Sequence, residues 1–132
     1  MALLSIQTPT GGKTQAGGVG AQLQWNPNVG PYMTQILTVG QRFIDSETIR
    51  LMQPYTPLQT GALIRSATFG TVIGSGRIKQ TVPYAARQYY GTATTRAYDP
   101  RRGGQWFERM KIDHKDYLLR EAARRTGARP VP

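Results

Sequence analysis

The chain is 132 residues long, 39% apolar and 9% aromatic, enough for the core of one modest domain. Seventeen Lys and Arg against seven Asp and Glu leave a net charge of +10 and a pI near 10.5. Cysteine is absent and histidine occurs once, as His114, which excludes disulfides, Cys-ligated zinc, thiol nucleophiles, iron–sulfur clusters and histidine-rich metal sites.

No apolar run approaches the ~18 residues of a membrane helix. The opening Met1-Ala2-Leu3-Leu4-Ser5-Ile6 has neither the basic region nor the apolar length of a secretory signal. These readings predict a soluble chain made inside the cell. Fifteen Gly and nine Pro predict a loop-rich domain or a flexible arm.

Residues 1–30 hold Gly11, Gly12, Gly17, Gly18, Gly20 and Gly30 and one charged side chain, Lys13. Such a stretch buries too little apolar surface to offset its ordering entropy. It reads as a flexible Gly-rich arm over residues 1–25, preceding a single domain over 26–132. Gln22-Leu23-Gln24-Trp25 alternates and predicts a short strand, and Asn26-Pro27-Asn28 a turn.

The spacing of Met33, Ile36, Leu37, Gly40, Phe43, Ile44, Glu47 and Leu51 predicts a helix over 31–53, with Pro31 in its first turn and Pro54 and Pro57 ending it. Gly40 in its middle weakens the helix by about 1 kcal/mol against Ala and lets another element approach closely. Thr60-Gly61 reads as a turn into a strand over 60–73, with Leu63, Ala67, Phe69 and Ile73 apolar. After a turn at Gly74-Ser75-Gly76, Ile78, Val82 and Tyr84 alternate with Arg77, Lys79 and Thr81, so the two segments read as an antiparallel hairpin. Residues 91–104 read as a loop. A last helix spans about 105–126, with Phe107, Met110, His114, Tyr117 and Leu118 on one side. Asp116–Arg120 and Glu121–Arg125 have the spacing of ion pairs, and Gly127 that of a C-terminal cap. Ala128 to Pro132 are expected to fray. The sum is an α+β domain: a small antiparallel sheet, hairpin plus added strand, packed by two helices.

The chemistry-bearing patterns are weak. Gly11-Gly12-Lys13-Thr14 resembles the end of a phosphate-binding loop, but Gln7 stands where that loop needs its first glycine. Gly74-Ser75-Gly76 lacks the third glycine of a dinucleotide fingerprint. Asp113 and Asp116 have basic neighbours in Lys111, Lys115 and Arg120, and nothing argues for a carboxylate pair with raised pKa. No catalytic, cofactor or metal residue is assigned, and the chain is not expected to be an enzyme.

Charge is more informative. Residues 1–60 carry a net +1, residues 61–95 a net +4 with no acid, and residues 96–132 a net +5. Such a field attracts polyanions, nucleic acid first. Tyr89, Tyr90, Tyr98 and Trp106 fit interface or core equally. Composition leaves nucleic-acid binding and an assembly role side by side.

Four segments then recur in order. They are Pro54-Tyr55-Thr56-Pro57-Leu58-Gln59-Thr60-Gly61-Ala62-Leu63 leading into Arg65-Ser66; Val82-Pro83-Tyr84-Ala85-Ala86-Arg87-Gln88-Tyr89-Tyr90-Gly91; Gly103-Gly104-Gln105-Trp106-Phe107-Glu108-Arg109-Met110-Lys111; and a closing basic helix. Over about residues 30–125 this resembles the minor capsid proteins of tailed phages, akin to the neck or tail-completion proteins that join head to tail. The family pattern has Arg where Ala86 stands here, with Arg87 following.

The resemblance implies a structural virion component in the phage neck, made in the bacterial host cytoplasm. It implies a ring of six or twelve copies that touches portal-side, neck or tail-tube proteins, with packaged DNA in the channel as a further candidate partner, and no membrane. The candidate surface is the 87–102 segment, with Arg87, Tyr89, Tyr90, Arg96, Arg101 and Arg102, where mobility, positive charge and aromatic rings coincide. The alternative is a basic nucleic-acid-binding protein acting outside the virion.

Overall fold

A computed structural model describes residues 5–128; the first four residues of the arm expected over 1–25, and all but the first residue of the stretch expected to fray over 128–132, fall outside the described residues. In chain order the elements are β1 (Gly12–Ala16), β2 (Val19–Leu23), α1 (Val29–Met52), a 3-10 turn (Gln53–Tyr55), α2 (Ala62–Gly70), α3 (Ala85–Tyr90) and α4 (Trp106–Thr126). This is an α+β chain.

Its sheet lies elsewhere than the alternation suggests. β1 and β2 form a two-stranded antiparallel hairpin inside the N-terminal arm, with Thr14 opposite Ala21 and Ala16 opposite Val19. Gly17 and Gly18 both take positive φ, 57° and 80°, the conformation that a two-residue hairpin turn with the twist of its strands requires. Every residue of both strands is exposed, so no helix packs on this sheet. Upstream, residues 6–8 are strapped to the start of α1. The Ile6 N–H donates to Thr34 Oγ1, the Thr8 hydroxyl to the Pro27 carbonyl, and the Gly30 N–H to Thr8 Oγ1.

The expected hairpin over 60–84 is corrected. Residues 62–70 are helical. Leu63, Ser66 and Ala67 are buried and Phe69 is exposed, so the apolar spacing that matters there is three and four, not two. Residues 77–81 form neither helix nor strand, and among the described residues no strand pairs with them. Side chains hold them instead. The Lys79 N–H donates to Thr71 Oγ1, Gln80 Nε2 donates to the Leu63 carbonyl, and the Trp106 indole N–H donates to Gln80 Oε1 at 3.0 Å. Ile78 and Val82 reach the core by this route.

The core sits between α1, α2 and α4. Ile49, Leu51 and Met52 meet Leu63 and Ala67 from α2 and Trp106, Met110 and Leu118 from α4. α1 and α4 run antiparallel. The Tyr117 hydroxyl bonds Glu47, Arg125 lies over the Phe43 ring at 4.3 Å, and a Cβ on Gly40 would stand 2.7 Å from Thr126 Cγ2. The close approach expected at Gly40 is therefore the end of α4. Because Arg125 is drawn to Phe43, Glu121 pairs with Arg124 at 2.9 Å in place of the expected Arg125. α4 stops at Gly127, whose φ of 77° suits the left-handed residue after a helix end.

One buried carboxylate organises the middle of the chain. Asp45 on α1 accepts the N–H groups of Gly74 and Gly76 on Oδ2, at 2.7 and 3.0 Å. Its Oδ1 accepts from the Gln41 amide at 2.9 Å. The Gly74–Gly76 turn exists as expected, and its role is to present two donors to Asp45.

Candidate functional site

Three of the segments that carry the family resemblance meet at one place. The 91–105 segment leaves α3, passes over the 3-10 turn and enters α4. The Gly103 N–H donates to the Tyr55 carbonyl, the Gly104 N–H to Ala93 and the Gln105 N–H to Tyr89. Gly103 tolerates no side chain, since a Cβ there would lie 2.2 Å from the Thr94 carbonyl oxygen. Gln105 takes a left-handed φ of 51°, and that kink turns the loop into the helix.

Arg109, one turn into α4, fastens this arrangement. Its guanidinium donates to the carbonyls of Gly104, Arg101 and Tyr55 at 3.0, 2.6 and 3.1 Å. It also lies 5.5 Å from the centre of the Tyr55 ring. Burial lowers its pKa, yet a guanidinium stays charged at any physiological pH. The Tyr55 hydroxyl donates to Asp113 and stands 3.4 Å from His114 Nε2. Burial, then the bond to Asp113, raises the Tyr55 pKa above the ordinary tyrosine value of 10.

The six residues singled out from sequence divide into two groups. Arg87, Tyr90 and Arg101 face outward, Tyr90 with 78% of its surface exposed. Tyr89, Arg96 and Arg102 are internal fasteners. The Tyr89 ring packs edge-on against Trp106 at 4.7 Å between ring centres, and burial raises its pKa. Arg96 donates to the Ala93 carbonyl, the Gln88 amide oxygen and the Thr92 hydroxyl. Arg102, its side chain only 18% exposed, donates to the carbonyls of Gln53 and Thr56 and pairs with Asp99 at 3.3 Å. Three arginines, Arg96, Arg102 and Arg109, tie carbonyls of the loop and of its neighbours together. Tyr98 adds a further tie, accepting the Leu58 N–H on its hydroxyl oxygen at 3.0 Å.

Sequence reasoning missed Arg109, Asp45 and Gln80. Arg109 stands in the quoted Gly103–Lys111 segment, and five residues after the Gly103-Gly104 pair is one turn into the helix that follows. That spacing places its guanidinium back over the glycines. Asp45 and Gln80 have no such local signal, since the groups they join to their own segments, the N–H groups of Gly74 and Gly76 and the Leu63 carbonyl with the Trp106 indole, are distant in sequence.

Beside the fastened loop, α1, α3 and α4 border a cleft of about 470 Å³ lined by Ile44, Met52, Ile78, Tyr89, Tyr90 and Phe107. Its one carboxylate, Asp45, is engaged by the Gly74–Gly76 turn. Among the described residues no helix is long and apolar enough to cross a membrane, and no group of three or more His, Asp or Glu converges. The arrangement ties main-chain carbonyls together and leaves Arg87, Tyr90 and Arg101 exposed. No family model, curated protein or solved structure matches the chain.

Proposed function

We propose that the chain is a structural virion protein of a tailed phage, acting without catalysis in the neck ring that joins head to tail. The observation that carries this reading is the convergence just described. Segments around Tyr55, Tyr89 and Gly103, which the resemblance singles out far apart in sequence, fold into one fastened surface. Arg87, Tyr90 and Arg101 on that surface are the residues to face portal-side, neck or tail-tube neighbours, or packaged DNA in the channel. The test is the copy number of this protein in gradient-purified particles, measured by quantitative mass spectrometry against the portal protein. A ratio near one-half or one is expected. Absence from the particles would refute the reading, as would normal infectious virions after deletion of the gene.

The alternative, nucleic-acid binding outside the virion, has one observation of its own. Arg65, Arg77, Lys79 and Arg87 are exposed, and none pairs with a carboxylate among the described residues. Phosphate contacts by such side chains give an affinity that falls steeply as salt rises. Recovery of the protein on nucleic acid from infected cells, together with its absence from particles, is the outcome that favours this second reading.

A further inference from the structure

Two apolar surfaces of this chain, one bare and one partly covered, match in length. The first is one face of the hairpin. Residues alternate across a strand, so Thr14 and Ala16 with their partners Ala21 and Val19 share a face with Leu23, while Lys13, Gln15 and Gln22 share the other. Val19 is 76% and Leu23 60% exposed. A hairpin of two strands with a bare apolar face is marginal in water without a cover.

The second surface is the N-terminal part of α1. Its buried stripe runs from Met52 and Ile44 toward Gly40, where α4 ends, and continues along the same side as Leu37, Ile36 and Met33. There Leu37 is 36% and Met33 37% exposed. The stretch of α1 before Gly40 is eleven residues, about 16 Å at 1.5 Å per residue. Each hairpin strand is five residues, about 17 Å.

Charge identifies the occupant. Residues 1–41 carry only Lys13, whereas residues 42–132 carry sixteen bases and all seven acids, a net +9. Two copies repel wherever their main bodies face each other, and the stretch holding both apolar surfaces is the one place they meet nearly without charge. We infer that the apolar face of the hairpin in one copy lies on the Met33–Leu37 face of α1 in the next. The contact joins two different patches, so it repeats head to tail and closes where the rotation allows. The inference deepens the ring reading above by naming the surface on which the ring is built.

The absence of cysteine makes a clean test possible. A double variant, Leu23→Cys with Leu37→Cys, is oxidised at high micromolar concentration and run without reductant, after thermal melting has confirmed an unchanged fold. A ladder of disulfide-linked multimers is expected. A control pairing Leu23→Cys with Ile112→Cys, on the far part of α4, is expected to give none. An intrachain disulfide at monomer mass would overturn the inference, because the hairpin would then cover its own helix. Monomer without disulfide would overturn it too. Such a monomer, alongside a particle ratio near one-half or one, would sink the hairpin contact and leave the neck reading standing. A ladder from a protein absent from particles would do the reverse. As a second measure, Val19→Asp with Leu23→Asp is expected to abolish association in sedimentation while the melting temperature holds.

Discussion

Replacing Asp45 with alanine tests the claim that one carboxylate holds the middle of the chain to α1. The side chain is 2% exposed and accepts three hydrogen bonds, from the N–H groups of Gly74 and Gly76 and from the Gln41 amide. Removing it strands the Gly74 N–H in a buried position, at about 1–3 kcal/mol. Gly76 and Gln41 lie nearer solvent and recover part of their bonding from water. A total loss of about 2–4 kcal/mol follows, allowing for the benefit of no longer desolvating a carboxylate. Urea unfolding followed by circular dichroism reads this directly. With a urea dependence of about 1–2 kcal/mol per molar for a domain of this size, the midpoint drops by roughly 1–4 M. Asp45→Asn is the informative partner. Its amide oxygen can serve both glycine N–H groups, and its NH₂ can donate to Gln41 once the Gln41 amide turns over. It is expected to lose less than half as much. An Asp45→Ala midpoint within error of the parent, or Asn no better than Ala, would refute the reasoning.

Three further outcomes follow from the fastened loop and the α1–α4 seam. Gly103→Ala forces a Cβ against the Thr94 carbonyl and is expected to destabilise by about 2–4 kcal/mol, whereas Gly12→Ala, with open space around it, stays within about 0.5 kcal/mol; thermal melts compare the two. Arg109→Met keeps the stem but leaves the carbonyls of Gly104, Arg101 and Tyr55 without their donor, so limited proteolysis is expected to cut within residues 91–105 well before the parent is cut. The Glu47 pKa is held below its usual 4.5, first by the Arg50 guanidinium and then, against some desolvation, by the Tyr117 hydroxyl. A lowered carboxylate pKa contributes stability that is full above the unfolded value and disappears as pH falls through the folded one. Urea midpoints from pH 7 to pH 3 are therefore expected to decline less steeply for Glu47→Gln than for the parent.

The long helices were legible because their signals are redundant. In α1 the three-and-four spacing runs across six turns, and Pro31, Pro54 and Pro57 bound it. In α4 the same spacing ends at a glycine whose left-handed φ a helix end favours. Segment 60–70 was misread because Leu63, Ala67 and Phe69 fit either period over so short a run, and burial of Ser66 rather than Phe69 settles it. The real hairpin was hidden by its composition. Gly17-Gly18 between short polar strands is a turn signal, but one set in a stretch too poor in apolar residues to suggest a sheet. At the candidate site, sequence located the arginines and tyrosines but not their partners. Arg96 and Arg102 look identical to Arg87 and Arg101 on the page. What separates the fasteners from the exposed pair is their partners: the Gln53 and Thr56 carbonyls for Arg102, and the Ala93 carbonyl with the Gln88 and Thr92 side chains for Arg96.

Those same bonds bear on the order in which the molecule assembles. Arg109 and Tyr55 are 54 residues apart, and Arg102 and Gln53 are 49. α1 and α4 can each form from local contacts, but the clasp at Tyr55 closes a long loop and is rewarded only after both helices have docked. It is therefore expected to form late in folding and to open early in unfolding. In rate measurements, weakening Arg102 or Arg109 then steepens the escape from the native state while leaving the refolding rate nearly unchanged. The clasp acts as a kinetic lock, and the native state gains its persistence from the slowness with which that lock opens.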